Sequence, residues 1–268
     1  MCIRDRNQDG KAWLARVYQP KGDGPFPTMV DVHGGAWVNG DRMNDTSMDT
    51  ALAARGIVVA ALDFRQPPEA GYPASMCDVN LGVRWLKANA SEFNGTSAVG
   101  AIGVSSGGHQ VVLHGLRPQF PSYTTLPLRG HPEIDGNVAY VVACWPVIDP
   151  LYRYLKVGKG EGREQLVQSH LAYWGSEQGM SSGSPQTVVE EDEQFEKPPI
   201  LMMLKANDQN HPVEMQDRFA SSYRQRGGPI EVHTFDGLPE RGMDASQPEA
   251  IRALDTIVEF VRRHTPGQ

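Results

Sequence analysis

The segment Gly103-Val104-Ser105-Ser106-Gly107-Gly108 carries the residue types that a nucleophilic serine requires. It follows the apolar run Val99–Val104 and opens a helical stretch, the strand–turn–helix context that makes Gly-x-Ser-x-Gly informative. Glycines on both sides of Ser105 let the chain turn tightly while the serine takes up a strained backbone conformation. The helix that starts there points free amides at the site, which favours a developing negative charge. A serine hydroxyl is nonetheless a poor nucleophile at neutral pH until a base removes its proton. The next questions are what positions Ser105 and which residue supplies that base.

Strand-like and helix-like segments alternate along the chain. Trp13–Tyr18, Thr28–Val32, Ile57–Leu62, Val99–Val104, Val138–Cys144, Pro199–Leu204 and Ile230–Phe235 read as strands. Most are continuous apolar runs, as in strands buried on both faces of a parallel sheet. Met76, Val79, Val83 and Leu86 share one helical face, and so do Ile251, Leu254, Ile257 and Val261. The latter helix opens on a capping box, Ser246 with Glu249, and has Pro248 in its first turn. The pattern predicts one α/β domain: a doubly wound, mostly parallel sheet flanked by helices. Arg117 to Gly136, rich in Pro, Gly and Arg, reads as a surface excursion. Residues 150–198, aromatic first and acidic later, are expected to form a helical lid or cap over the carboxyl edge of the sheet. Met1 to Arg6 reads as lying outside the fold, so a native N-terminus and any export signal would lie upstream.

A length of 268 residues suits one large domain. The formal net charge of −7 argues against nucleic acid or an anionic membrane as the main partner. No run approaches the roughly 18 apolar residues of a membrane span, and a cytoplasmic location is expected. Cys77 and Cys144 lie in apolar stretches and read as small core residues. No glycine-rich dinucleotide fingerprint, phosphate loop or metal-ligand cluster is present, so no cofactor and no metal is implied.

Two further motifs carry a family resemblance. Thr28–Val32 runs into His33-Gly34-Gly35-Ala36-Trp37, and with Gly-x-Ser-x-Gly-Gly this resembles the esterase and lipase branch of the α/β-hydrolase superfamily. The resemblance covers about Leu14 to Arg263. It includes Asp63-Phe64-Arg65, Trp145-Pro-Val-Ile-Asp-Pro150, Ser184-Pro185 and Pro198-Pro199. It implies that the amides of Gly34, Gly35 and Ala36, with that of Ser106, form an oxyanion hole, where each donor is worth about 10² to 10³ in rate. It also implies that His33 braces the loop and that Asp208, just after the run Pro199–Leu204, is the acid of the triad.

The expected base is missing from its usual place. Relatives read Gly-x-Pro-His-Gly-Phe after the last strand, whereas this chain reads Gly237-Leu238-Pro239-Glu240-Arg241-Gly242-Met243. Three readings stay open. His211, in Asp208-Gln209-Asn210-His211-Pro212, reaches Ser105 from the acid loop. Glu240 acts as the base, its pKa raised by burial or by Asp208. Or the site binds ligands without acyl transfer. The remaining histidines, among them His109, His114, His131, His170 and His233, read as structural. Trp37 and Trp145 are expected to line a substrate pocket, with packing as the alternative for each. The resemblance implies a serine hydrolase of carboxylic esters acting on small or aromatic acyl groups, with an arylformamidase-like amidohydrolase or a catalytically impaired binding protein as alternatives. The partner expected is a small-molecule ester; a homo-oligomer is also allowed.

Overall fold

A computed structural model describes residues 5–6, 12–191, 194–238, 243 and 245–265, with side chains from residue 14 onward. The main sheet has seven strands: β1 (Ala15–Tyr18), β2 (Phe26–Val32), β3 (Val58–Leu62), β4 (Gly95–Val104), β5 (Val141–Cys144), β6 (Ile200–Lys205) and β7 (Ile230–Phe235). Their order is β1-β3-β2-β4-β5-β6-β7, with β1 antiparallel at one edge and every other pairing parallel. This is the fold class expected, and its reason is visible in the burial. In β3 and in the first five residues of β6 every position is buried. Alternate residues feed opposite cores, because side chains change face with a period of two.

Val30, Val58, Ala101, Val141 and Ile200 pack on one face with Met76, Val79 and Val83 of α2 (Ala74–Asn89) and Val111 and Val112 of α3 (Ser106–Leu116). Phe219 and Tyr223 of α8 (Val213–Gln225) complete that layer. Met29, Val59, Ile102, Val142 and Leu201 pack on the other face with Met48 and Leu52 of α1 (Thr46–Ala54) and Leu254 and Ile257 of α9 (Pro248–Arg263).

Three details differ from expectation. The first predicted strand is split: Ala12–Trp13 pairs with Asp5–Arg6 in a separate two-stranded sheet, so part of the segment read as outside the fold carries strand structure. The last helix begins at Pro248 with Gln247 as its N-cap, one residue later than the predicted capping box requires. Leu254, Ile257 and Val261 of its predicted apolar face are buried, whereas Ile251 is 37 % exposed and Ala250 and Ala253 are buried instead. The stretch Arg117 to Gly136 is anchored by Tyr123, Leu126 and Leu128, which are buried against the α2 side.

Between β5 and β6 lie four short helices: α4 (Pro150–Lys156), α5 (Glu164–Trp174), α6 (Glu177–Ser182) and α7 (Pro185–Glu191). Asp149 caps α4, accepting from the Tyr152 amide at 3.0 Å, and Ser176 caps α6. Tyr173, Trp174 and Met180 from these helices pack with Trp37 and Val147, which tethers the insertion to the loop that follows β2. Among the described residues, no helix is long and apolar enough to cross a membrane, and Cys77 and Cys144 are buried free thiols.

Candidate active site

Because β2, β4, β5 and β6 run parallel, the segments after them meet at one edge of the sheet: His33–Trp37, Ser105, Trp145 and Asp208–His211. Ser105 forms the turn between β4 and α3 with φ 53° and ψ −112°, a left-handed conformation that is strained for a residue with a side chain. Its backbone is pinned on both sides. The Ser105 amide donates to the Cys144 carbonyl at 2.9 Å, and the Ser105 carbonyl accepts from the amides of His109 (3.0 Å) and Val147 (3.1 Å).

The glycines of this turn are there for close approach. A Cβ on Gly107 would sit 1.8 Å from the Val32 carbonyl oxygen, and one on Gly103 would meet Gly107 at 2.5 Å. Contact of these backbones brings the end of β2 against the start of α3. Gly34 lies beside Ser105, so that an added Cβ would be 3.5 Å from the serine's own Cβ. Gly35 and Ala36 both have positive φ, 119° and 52°. Among the described residues, the amides of Gly35, Ala36 and Ser106 donate to no backbone carbonyl, and Gly34, Gly35, Ala36 and Ser105 are all part-exposed. The edge thus offers unengaged donors next to a reachable hydroxyl.

The supports of this loop come from the motifs singled out in the sequence. His33 is buried, its ring stacks on Phe64 with centroids 4.3 Å apart, and its Nδ1 donates to the Gly34 carbonyl at 2.7 Å. Asp63 accepts from the Arg42 amide (2.9 Å) and side chain (2.6 Å), and Arg65 is anchored on Asp78 at 2.8 Å. Trp37 is 1 % exposed. Its amide donates to Ser106 Oγ (3.2 Å), its indole N–H to His109 Nδ1 (3.2 Å), and its ring stacks on Tyr173. These contacts pack Trp37 between the loop after β2 and the helices α5 and α6.

On the other side of Ser105, the acid loop leaves β6 two strands from β4, a gap of about 10 Å at the usual strand spacing. Two side chains in series bridge it. The Ser105 hydroxyl lies 3.0 Å from His211 Nε2, and His211 Nδ1 lies 2.8 Å from Asp208 Oδ2. The second Asp208 oxygen accepts from the amides of Asn210 (2.8 Å) and His211 (3.1 Å). The three interactions of Asp208 form within one tight turn, helped by Asn207 in a left-handed conformation at φ 59°.

The electrostatics follow from those contacts. Burial works to raise the Asp208 pKa, but the bonds from His211 and from the two amides outweigh it and bring the pKa down to about 2. An ionised carboxylate only accepts, so Nδ1 carries the imidazole proton and Nε2 presents its lone pair to the serine hydroxyl. Burial holds the His211 pKa below its ordinary value, with Arg153 and Lys205 pushing the same way and Asp208 opposing them. The neutral ring is the form needed in a base.

Glu240 lies outside the described residues. Of the other histidines, His109 and His114 are buried and bonded to the Gly183 and Gly136 carbonyls, and burial takes the pKa of each down to about 4. His131 and His233 are exposed beside Glu133 and Glu231. His170 is buried in the cap. Trp145, 3 % exposed with φ 35°, lines a cavity of about 370 Å³ together with Asp208, His211 and Thr234, and the Lys205 ammonium sits 3.9 Å above its ring. Among the described residues, no group of three or more His, Cys, Asp or Glu is placed to hold a metal ion.

Two features, one at the site and one away from it, went unread in the sequence. Cap residues Arg153 and Arg163 both bond to Asn210, between the acid and the candidate base. Three buried carboxylates, Asp31, Asp45 and Asp49, cluster between β2 and α1. Nothing in the local pattern around Arg153 separates it from an ordinary solvated helix residue.

Comparison with known proteins agrees with this architecture. The chain is 28% identical over 238 residues to the probable carboxylic ester hydrolase LipM of Mycobacterium tuberculosis, covering 80% of this chain and 51% of that protein. It is 25% identical over 238 residues to the isoprenylcysteine alpha-carbonyl methylesterase ICME of Arabidopsis thaliana, covering 87% of this chain and 54% of that protein. The chain therefore spans about half the length of these relatives. In structure it is similar to esterase Est2 of the Planctomycetes species Thermogutta terrifontis, with a TM-score of 0.75 at 19% identity over 100% of this chain and 94% of that one. It is also similar to esterase B of Lactobacillus rhamnosis, with a TM-score of 0.77 at 18% identity over 97% and 84% of the two chains. These likenesses show the α/β-hydrolase fold. The BD-FAE family model matches residues 16–222, and the chain belongs to the BD-FAE family.

Proposed function

We propose that the protein hydrolyses carboxylic esters of small or aromatic acyl groups through an acyl-enzyme at Ser105, with His211 as general base and Asp208 orienting it. The observation that carries this reading is the continuous chain of hydrogen bonds from the Ser105 hydroxyl through the imidazole to a carboxylate. Asp208 fixes the tautomer, so that His211 Nε2 can take the hydroxyl proton as Ser105 Oγ attacks the ester carbonyl. The carbonyl oxygen becomes an oxyanion against the amides of Gly34, Gly35, Ala36 and Ser106, and the positive end of α3 adds to their effect. The imidazolium then gives its proton to the leaving alcohol, and the C–O bond breaks. In the second half, His211 deprotonates a water that attacks the acyl carbonyl; Ser105 recovers its proton and a carboxylic acid leaves.

The esterase names among the relatives support the substrate class. Ser105→Ala is expected to abolish release of p-nitrophenol from p-nitrophenyl acetate. Unchanged turnover in that variant would remove the centre of the proposal.

A further inference from the structure

Arg153 of α4 is buried at 5 % exposure in the cap. No carboxylate among the described residues forms an ion pair with it, although Asp208 lies near enough to favour its charged form. Its Nε donates to the Asn210 carbonyl at 3.0 Å, while Nη1 is buried without a partner. A buried guanidinium with one hydrogen bond and no ion pair is costly, and an apolar side chain of similar volume would ordinarily serve packing better. The position of the charge gives it a use. Asn210 stands between Asp208 and His211, and three of its polar atoms are engaged: its amide on Asp208, its carbonyl on Arg153, and its side-chain oxygen on Arg163 at 2.5 Å.

In a chain that draws its base from the acid loop, the turn must hold two residues of the relay in register at once. We propose that Arg153 is a positioning residue for the base, fixing the Asp208–His211 turn from the cap and setting a positive charge beside the imidazole so that its neutral form is favoured. The inference rests on the assignment of His211 as base. Among the described residues, the other groups near His211 are Asp208 on its own loop, Lys205 at the end of β6, Ser105 at the elbow, and Glu214 of α8, which lines the same cavity. Of the cations, Arg153 alone also bonds the turn's backbone among the described residues. A charge held there by a fixed hydrogen bond biases the ring at every pH of interest, because burial leaves the guanidinium pKa at about 10.

The test separates charge from packing. In Arg153→Gln, which keeps a donor and loses the charge, the midpoint of the acid limb of kcat/KM for p-nitrophenyl acetate should rise by about 0.5 to 1 pH unit. Its plateau kcat should fall about tenfold, with KM within about twofold. Arg153→Lys should keep the midpoint at the wild-type position and recover part of kcat. Asn210→Ala leaves the backbone carbonyl in place and should leave the midpoint unmoved. Equal midpoints in the Gln and Lys variants would overturn the proposal. So would a loss confined to KM and to esters bearing a carboxylate, which would make Arg153 a substrate-binding group. NMR titration of the His211 ring in the Ser105→Ala protein, with and without Arg153→Gln, reads the same shift without turnover. Absence of esterase activity would therefore sink the proposed function while leaving the effect of Arg153 on His211 open to refutation separately.

Discussion

Around Ser105 the geometry is held by backbone against backbone: Gly103 and Gly107 leave no room for a Cβ, Gly34 leaves little, and the serine's own amide and carbonyl are tied to β5 and to α3. Around His211 it is held by side chains. Asp208 gathers two amides and an imidazole within a single turn, and Arg153 and Arg163 reach down from the cap to secure Asn210. Rigid backbone contact is insensitive to protonation and tolerates almost no change of residue type. A hydrogen-bonded turn is open to substitution, and it responds to charge and pH. One site thus combines a steric half and an electrostatic half, and they should fail differently.

The comparison is broken most severely by removing the imidazole that the proposed function makes the base. His211→Gln should lower kcat for p-nitrophenyl acetate by about 10⁴-fold or more, with Glu240→Gln within about threefold of the unmodified protein. The reverse ranking in steady-state assays would move the base to Glu240. Asp208→Asn should cost about 10³ to 10⁴ through loss of the required tautomer, with little change in melting temperature. The steric half should show the opposite pattern. Gly107→Ala forces a Cβ onto the Val32 carbonyl and should lower Tm by about 5 to 10 °C, read by circular dichroism. An unaltered melt in that variant would mean that the close contact yields easily.

A subtler expectation concerns pH. The His211 pKa is held below 6.5, so activity should persist at pH 6.5 and fall, as the imidazole takes up a proton, with a midpoint lower than that value. A midpoint above 6.5 in the pH–rate profile would contradict this balance of burial and charge.

The smallest effect sharpens the same contrast away from the site. Asp208 has three donors and a pKa of about 2; Asp49 is buried with both oxygens unpartnered, and burial and Asp45 push its pKa up to about 8. In the unfolded chain Asp49 would titrate near an ordinary value of about 3.9. Between these two values the folded protein holds a proton that the unfolded chain has released, so stability falls as pH rises and the loss is complete above pH 8. Asp49→Asn should therefore raise Tm by a few degrees at pH 9 and change it little at pH 4. A gain of equal size at both values would assign the effect to packing.

Much of this was legible in the residues. Continuous apolar runs announced a parallel sheet because a strand covered on both faces has no polar side to show. The elbow and the His33-Gly34-Gly35 loop were legible because close backbone approach demands glycine at particular positions, which leaves a mark in a linear pattern. On the last helix Leu254, Ile257 and Val261 are buried as periodicity predicts, but Ile251 gives way to Ala250, a choice that only the neighbouring elements decide. Trp37 was readable as a pocket or a packing residue, because an aromatic beside the His33-Gly34-Gly35 loop suits either role, and Tyr173 and Trp174 are what enclose it. Arg153 left no mark, being on a helix whose surroundings are supplied from 57 residues away.

By itself, then, the sequence determined the fold class, the sharp turn at Ser105 and the loop beside it, all of which depend on local conformation and on which residues can be buried. Which residue stands against the Ser105 hydroxyl was decided only in three dimensions. His211 and Glu240 were equivalent as letters in a string. Reach across the strands between Ser105 and the acid loop, and burial among a carboxylate and two cations, are properties that no stretch of chain possesses until the sheet brings its carboxyl ends together.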